Sequence, residues 1–118
     1  NAGDFNRTKS QYIQLPTLTT DKVNFNNGFT VTSWAKFSNT PGSWERIFDF
    51  GNGTDSNNIF LGRDWTSNTL ILGIHESSGG DVYLRANDAL DALWHFSDSK
   101  YHFQSHHFSH KTVWNHTK

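Results

Sequence analysis

The clearest pattern in the chain is the alternation from Phe29 to Phe37, FTVTSWAKF. Phe29, Val31, Ala35 and Phe37 fall on one face, and Thr30, Thr32, Trp34 and Lys36 on the other. Period two with β-branched and aromatic residues predicts a strand, because successive side chains of an extended backbone point to opposite faces. The stretch from Trp44 to Gly62, WERIFDFGNGTDSNNIFLG, predicts a hairpin around which the other strands are organised. Ile47, Phe48 and Phe50 supply one apolar run, and Ile59, Phe60 and Leu61 the other. Gly51 and Gly53 between them give the backbone freedom that a turn needs. In TLILGIH, Thr69 to His75, Leu70, Leu72 and Ile74 share a face. Ser77, Ser78, Gly79 and Gly80 then close a further hairpin onto Asp81–Arg85.

Weaker signals fill the gaps. Tyr12, Ile13 and Leu15 predict a short strand that Pro16 ends or confines to an edge. The runs Asn24–Gly28 and Asn39–Gly42 predict turns. Asn87 to Leu93 has room for one helical turn before Trp94, His95 and Phe96. From Ser97 onward the alternation is lost, and the tail predicts no regular element. Short strands at close intervals, with no helical period between them, predict an all-β sandwich or barrel.

Bulk properties narrow the function classes. The 118 residues suffice for one domain, and 34% hydrophobic residues leave little core to spare. Aromatics at 15% compensate, since each buries a large area. A net charge of -1 gives no electrostatic attraction for nucleic acid or acidic membranes. With no cysteine, the chain has no disulfide framework, no Cys-based zinc site and no thiol nucleophile. No stretch is long and apolar enough to insert in a membrane as a helix, and no signal peptide is visible. Methionine is absent and the chain starts at Asn1, so a processed product or a piece of a larger chain is expected.

Several residues carry candidate chemistry. The loop from Asp49 to Asn58 concentrates Asp49, Asn52, Asp55, Ser56, Asn57 and Asn58, hard oxygen donors that suit Ca²⁺. Asp55 and Asn57 are the preferred ligands, although EF-hand spacing is absent. The alternative is a loop whose Asn and Asp side chains hold their own turn. In the tail, His102, His106 and His110 would share a face if helical and would suit Zn²⁺ or Ni²⁺. A polar tail with no metal is the competing reading. Trp65, flanked by Arg63, Asp64 and Asn68, is the candidate platform for stacking a pyranose face. Trp34, Trp44 and Trp94 lie in strand-like segments and are expected in the core. Asn6-Arg7-Thr8, Asn52-Gly53-Thr54 and Asn115-His116-Thr117 fit the N-glycosylation pattern.

Four segments, in order, resemble the laminin G-like branch of the concanavalin A-like lectin/glucanase superfamily. They are FNRTKSQYIQLPTL, NGFTVTSWAKF, WERIFDFGNGTDSNNIFLG and ALDALWHF, spanning Phe5 to Phe96. The resemblance implies a jelly-roll sandwich of two antiparallel sheets over residues 3–96, followed by a divergent His-rich tail over 97–118. It implies an extracellular or cell-surface binding module. The ligand would be a glycan held by rim loops around Asp55, Asn58, Arg63 and Trp65, with calcium as the possible cofactor. The alternative is a protein-interaction or adhesion domain of a larger surface protein without sugar binding. Glucanases of the superfamily carry E-x-D-x-x-E or E-x-D-x-E on one strand. Here Glu45 and Glu76 stand alone, so no enzymatic activity is expected. After the Trp-His segment the family continues with strands like V-A-x-T-Y and L-Y-x-N-G. Their absence here predicts a sandwich incomplete at its C-terminal end, with an open edge.

Overall fold

A computed structural model describes residues 3–17, 28–51, 57–76, 79–93, 95–104 and 107–116. The described residues form an all-β structure with one short 3-10 turn at Arg7–Lys9. The strands are β1 (Phe29–Ala35), β2 (Arg46–Phe50), β3 (Asn58–Arg63), β4 (Leu70–His75), β5 (Val82–Ala86), β6 (His95–Gln104) and β7 (His107–His116). They make two antiparallel sheets, ordered β1-β6-β7 and β2-β3-β4-β5.

The larger sheet is a meander of sequence neighbours. The Trp44–Gly62 hairpin forms as its pattern demands, with Asp49 opposite Phe60 and Phe50 opposite Ile59. A register shift between Arg46 and Phe48 breaks the alternation of β2. This bulge lets Ile47 and Phe48 both pack on the core. The core itself is Phe37, Leu61, Leu70, Leu72 and Leu90. Phe29 and Ala35 of β1 pack against it, and the Phe29 ring meets Phe50 edge-on at 6.0 Å. The half-buried face of β1 is therefore the one that faces the larger sheet, as its alternation predicts.

β3 and β4 are buried on both faces. Leu61, Leu70 and Leu72 point into the core, yet Phe60 and Ile71 on the opposite face are only 1% and 0% exposed. The Arg46 guanidinium lies 3.6 Å over the Phe60 ring, and His75 stacks on the same ring at 5.5 Å. Directly across from Phe60 stands Gly73, and a Cβ there would run into the Phe60 ring. The missing side chain is the space that the ring fills.

The expectations for residues 11–17, for Asn87–Leu93 and for the tail are corrected. Residues 11–17 form no strand, and Tyr12, Ile13 and Leu15 are exposed. Local side-chain bonds take the place of a ladder just before them. Asn6 Oδ1 accepts the Thr8 N–H at 3.0 Å, and the Asn6 N–H donates to Gln11 Oε1 at 2.8 Å. Pro16, lacking an N–H, also weakens pairing. Asn87 to Leu93 makes turns rather than a helical turn, with Asp88 at φ 53° and Asp91 Oδ1 accepting the Leu93 N–H. Asp side chains satisfy the backbone locally and compete with helix.

The tail is regular. β6 pairs with β1 over His95–Tyr101 and with β7 along its whole length, so the expected boundary between 96 and 97 falls inside β6. His102 and His110 lie in extended strands, which removes the helical face they were expected to share; His106 lies outside the described residues. The reason is visible at the sheet's inner face. Opposite Ser33 and Ala35 stand Ser97 and His95, both buried, with Ser33 Oγ and Ser97 Oγ 3.3 Å apart. Polar residues occupy core-facing positions, so hydrophobic alternation is absent although the strand is not.

Candidate functional site

The chain from β1 to β2 and the chain from β3 to β4 meet at one end of the larger sheet. Trp44 and Trp65 stand at that meeting point. Both have backbone in the left-handed region, with φ 57° and 53°. Bulky residues avoid that region, and strain of this kind collects at functional positions. The Trp44 N–H donates to the Trp65 carbonyl at 3.3 Å, and the Arg63 N–H donates to the Glu45 carbonyl at 2.7 Å. The β3–β4 turn is closed by Ser67, whose N–H and hydroxyl both donate to the Asp64 carbonyl. The two indoles then meet edge-on, with centroids 6.1 Å apart and planes at 76°. Both remain open to solvent, at 41% for Trp44 and 59% for Trp65. Arg46 lies 5.3 Å from the Trp44 ring centre.

Arg63, two residues before Trp65, is a cation that is 1% exposed. Its Nε donates to Glu45 Oε2 at 2.7 Å, and Nη1 donates to the Ser67 carbonyl at 2.7 Å and Asn68 Oδ1 at 3.3 Å. Its Nη2 donates to the Ser38 carbonyl at 3.2 Å, and the group sits 5.2 Å from the Phe37 ring centre. Glu45 Oε1 also accepts the Gly42 N–H. One guanidinium thus ties the β1–β2 connection to the β3–β4 turn, the two segments that carry Trp44 and Trp65.

Among the described residues, the expected ligand residues do not converge. Trp65 is on the surface, 59% exposed. Arg63 is buried, with its donors engaged by Glu45, Ser67, Asn68 and Ser38. Asn58 is buried at the far end of β3, donating through Nδ2 to Asp49 Oδ1 at 3.2 Å. At about 3.3 Å per residue, β3 separates Asn58 from Arg63 by roughly 16 Å. Asn57 is exposed, with φ 51°. Asp55 lies outside the described residues. Among the described residues no three His, Asp or Glu side chains gather as a metal site.

The tryptophan expectation is also corrected. Trp34 is 54% exposed, on the outward face of β1, and Trp44 is exposed as well. Trp94 lies outside the described residues. Trp44 was legible by the signal that marked Trp65: it follows a polar turn, Pro41-Gly42-Ser43, and precedes the apolar run.

A second polar group lies at the β4–β5 hairpin. Asp81 Oδ2 is 3.1 Å from His75 Nδ1 and accepts the Tyr83 hydroxyl at 3.3 Å, and Asp81 Oδ1 accepts the Glu76 N–H at 3.3 Å. Loss of water around the Asp81 carboxyl raises its pKa. The hydrogen bond with His75, the Glu76 N–H, the charge of His75 and the Tyr83 hydroxyl outweigh this and hold it below the ordinary value. The chain matches no protein-family model, no curated protein and no solved structure.

Proposed function

We propose that this chain is a noncatalytic carbohydrate-binding module, laminin G-like with a jelly-roll arrangement, working outside the cell or at its surface. One observation carries the reading: two solvent-open indoles, Trp44 and Trp65, meet edge to face on positive-φ backbone, in two segments that the Arg63–Glu45 pair ties together. Pyranose rings present C–H faces that stack on indole, and Asp64 and Asn68 in the same turn offer partners for hydroxyls. A rigid platform binds at lower entropic cost than a mobile one. Calcium held by Asp55 and Asn57 remains part of this proposal. A glycan array followed by calorimetry tests it, with Trp44→Ala and Trp65→Ala as controls. Binding that both variants weaken supports the platform, and sugar affinity that neither alters removes it. A thermal melt with calcium and then chelator tests the metal, because a ligand of the folded state raises the midpoint.

The second reading is a protein-interaction or adhesion domain of a larger surface protein. The exposed run of Tyr12, Ile13 and Leu15 favours it. Silence on the array, with recovery of a protein partner that a Tyr12→Ser, Ile13→Ser double variant loses, would establish it.

A further inference from the structure

β5 closes the order of the four-stranded sheet, with β4 as its neighbour. All of its residues are exposed. Val82 and Leu84 lie opposite Ile74 and Leu72 in the ladder, and Leu72 belongs to the core. The inward apolar face of the sheet therefore continues onto β5 and emerges into solvent, at 42% exposure for both residues. Natural edge strands resist pairing with Pro, Lys or an unbalanced charge. β5 has no Pro and no Lys. Its one cation is balanced within the chain, since Arg85 Nε donates to Asp64 Oδ2 at 2.6 Å. The acid before it, Asp81, is engaged with His75.

The strand is also complementary to itself. In an antiparallel pairing centred on Leu84, Leu84 meets Leu84 of a second copy, and Val82 meets Ala86 on the same apolar face. On the other face Tyr83 meets Arg85 of the second copy, twice over. Within one chain the Arg85 guanidinium already lies 5.2 Å from the Tyr83 ring centre, so the contact across the axis repeats a cation–π chemistry that the strand uses. We propose that two copies of this chain associate antiparallel through β5, joining their four-stranded sheets into one. The two-fold axis closes the pair and leaves no further β5 edge for growth. A short strand buries less than the roughly 1,600 Å² of a standard interface, so the dimer is reversible and concentration-dependent.

Sedimentation of the purified chain from micromolar to millimolar concentration tests this. The expected result is a monomer passing to a dimer and no further. Tyr83→Lys sets a lysine opposite Arg85 at two symmetric places and raises the dimer Kd by about tenfold or more. Tyr83→Glu sets a carboxylate there and keeps the dimer. Leu84→Cys gives a register readout that needs no loss of binding, because the chain has no native cysteine. On mild oxidation it forms a covalent dimer faster than Val82→Cys, whose partner position is Ala86. A monomer at every concentration overturns the proposal. So does a dimer that Tyr83→Lys leaves intact, or equal oxidation rates at positions 82 and 84. Open-ended assembly overturns it as well.

Discussion

Arg63 Nε meets Glu45 Oε2 at 2.7 Å with the cation 1% and the carboxylate 22% exposed. A charge so placed is stable only while its partners remain. Replacing Arg63 by Ala leaves Glu45 half-buried without its cation and takes a donor from the carbonyls of Ser38 and Ser67. The expected loss is about 3 kcal/mol or more, read from urea unfolding. Arg63→Lys recovers only part of it, because an ammonium does not reproduce the planar fork of donors. A loss below about 1 kcal/mol for Arg63→Ala would show that the knot does not hold these loops.

Trp65 separates binding from folding. Its ring is 59% exposed and its φ is 53°. Trp65→Ala keeps the backbone strain and removes the ring. Trp65→Gly removes both, and should be more stable than Trp65→Ala by about 1 kcal/mol. Both variants should lose sugar affinity by about tenfold or more under the proposed function. Melting midpoints and calorimetric titration read the two effects independently.

Gly73 leaves room for the Phe60 ring. Gly73→Ala puts a methyl into it and forces the ring away from its place under Arg46. Overpacking of this kind costs about 1–3 kcal/mol. Gly73→Ala combined with Phe60→Leu should recover part of the loss, a coupling that a double-mutant cycle measures.

Asp81 gives a pH dependence of known sign. Its folded pKa lies below the ordinary 3.8. Its contribution to stability is therefore complete above that ordinary value and is lost as pH falls through the lower folded value. The melting midpoint of the natural chain should fall on acidification below about pH 4, with Asp81→Asn showing a shallower fall. Parallel acid melts of the two chains check this, and identical slopes would remove Asp81 as a contributor.

Much of the fold was legible. The meander from β2 to β5 announced itself through apolar runs separated by Gly, Asn and Ser, because each hairpin needs only its neighbour in sequence. β1 was legible because one face is apolar. β6 was hidden, since His95 and Ser97 fill its inward positions and its ladder to β1 joins residues such as Ser33 and Ser97, 64 positions apart. Trp65 was legible from its polar surroundings. The burial of Arg63 was not, because a cation beside a tryptophan reads as a surface group until Glu45 and three backbone or amide oxygens are seen to converge on it. Trp44 reads as core from the apolar strand that follows it, but the turn before it sets the ring in solvent.

The pairing of β1 with β6 has a consequence for how the chain folds as it is made. β2 to β5 can zip up by local contacts as soon as they leave the ribosome. β1 leaves earlier, but its hydrogen-bonding partner is separated from it by that whole meander. Closing so long a loop carries a larger entropic cost and comes late. During synthesis, then, the segment from Phe29 to Ala35 must wait as an unpaired ribbon while a finished sheet grows behind it. That waiting time makes this strand the point at which a nascent chain is open to capture by chaperones or by other copies of itself.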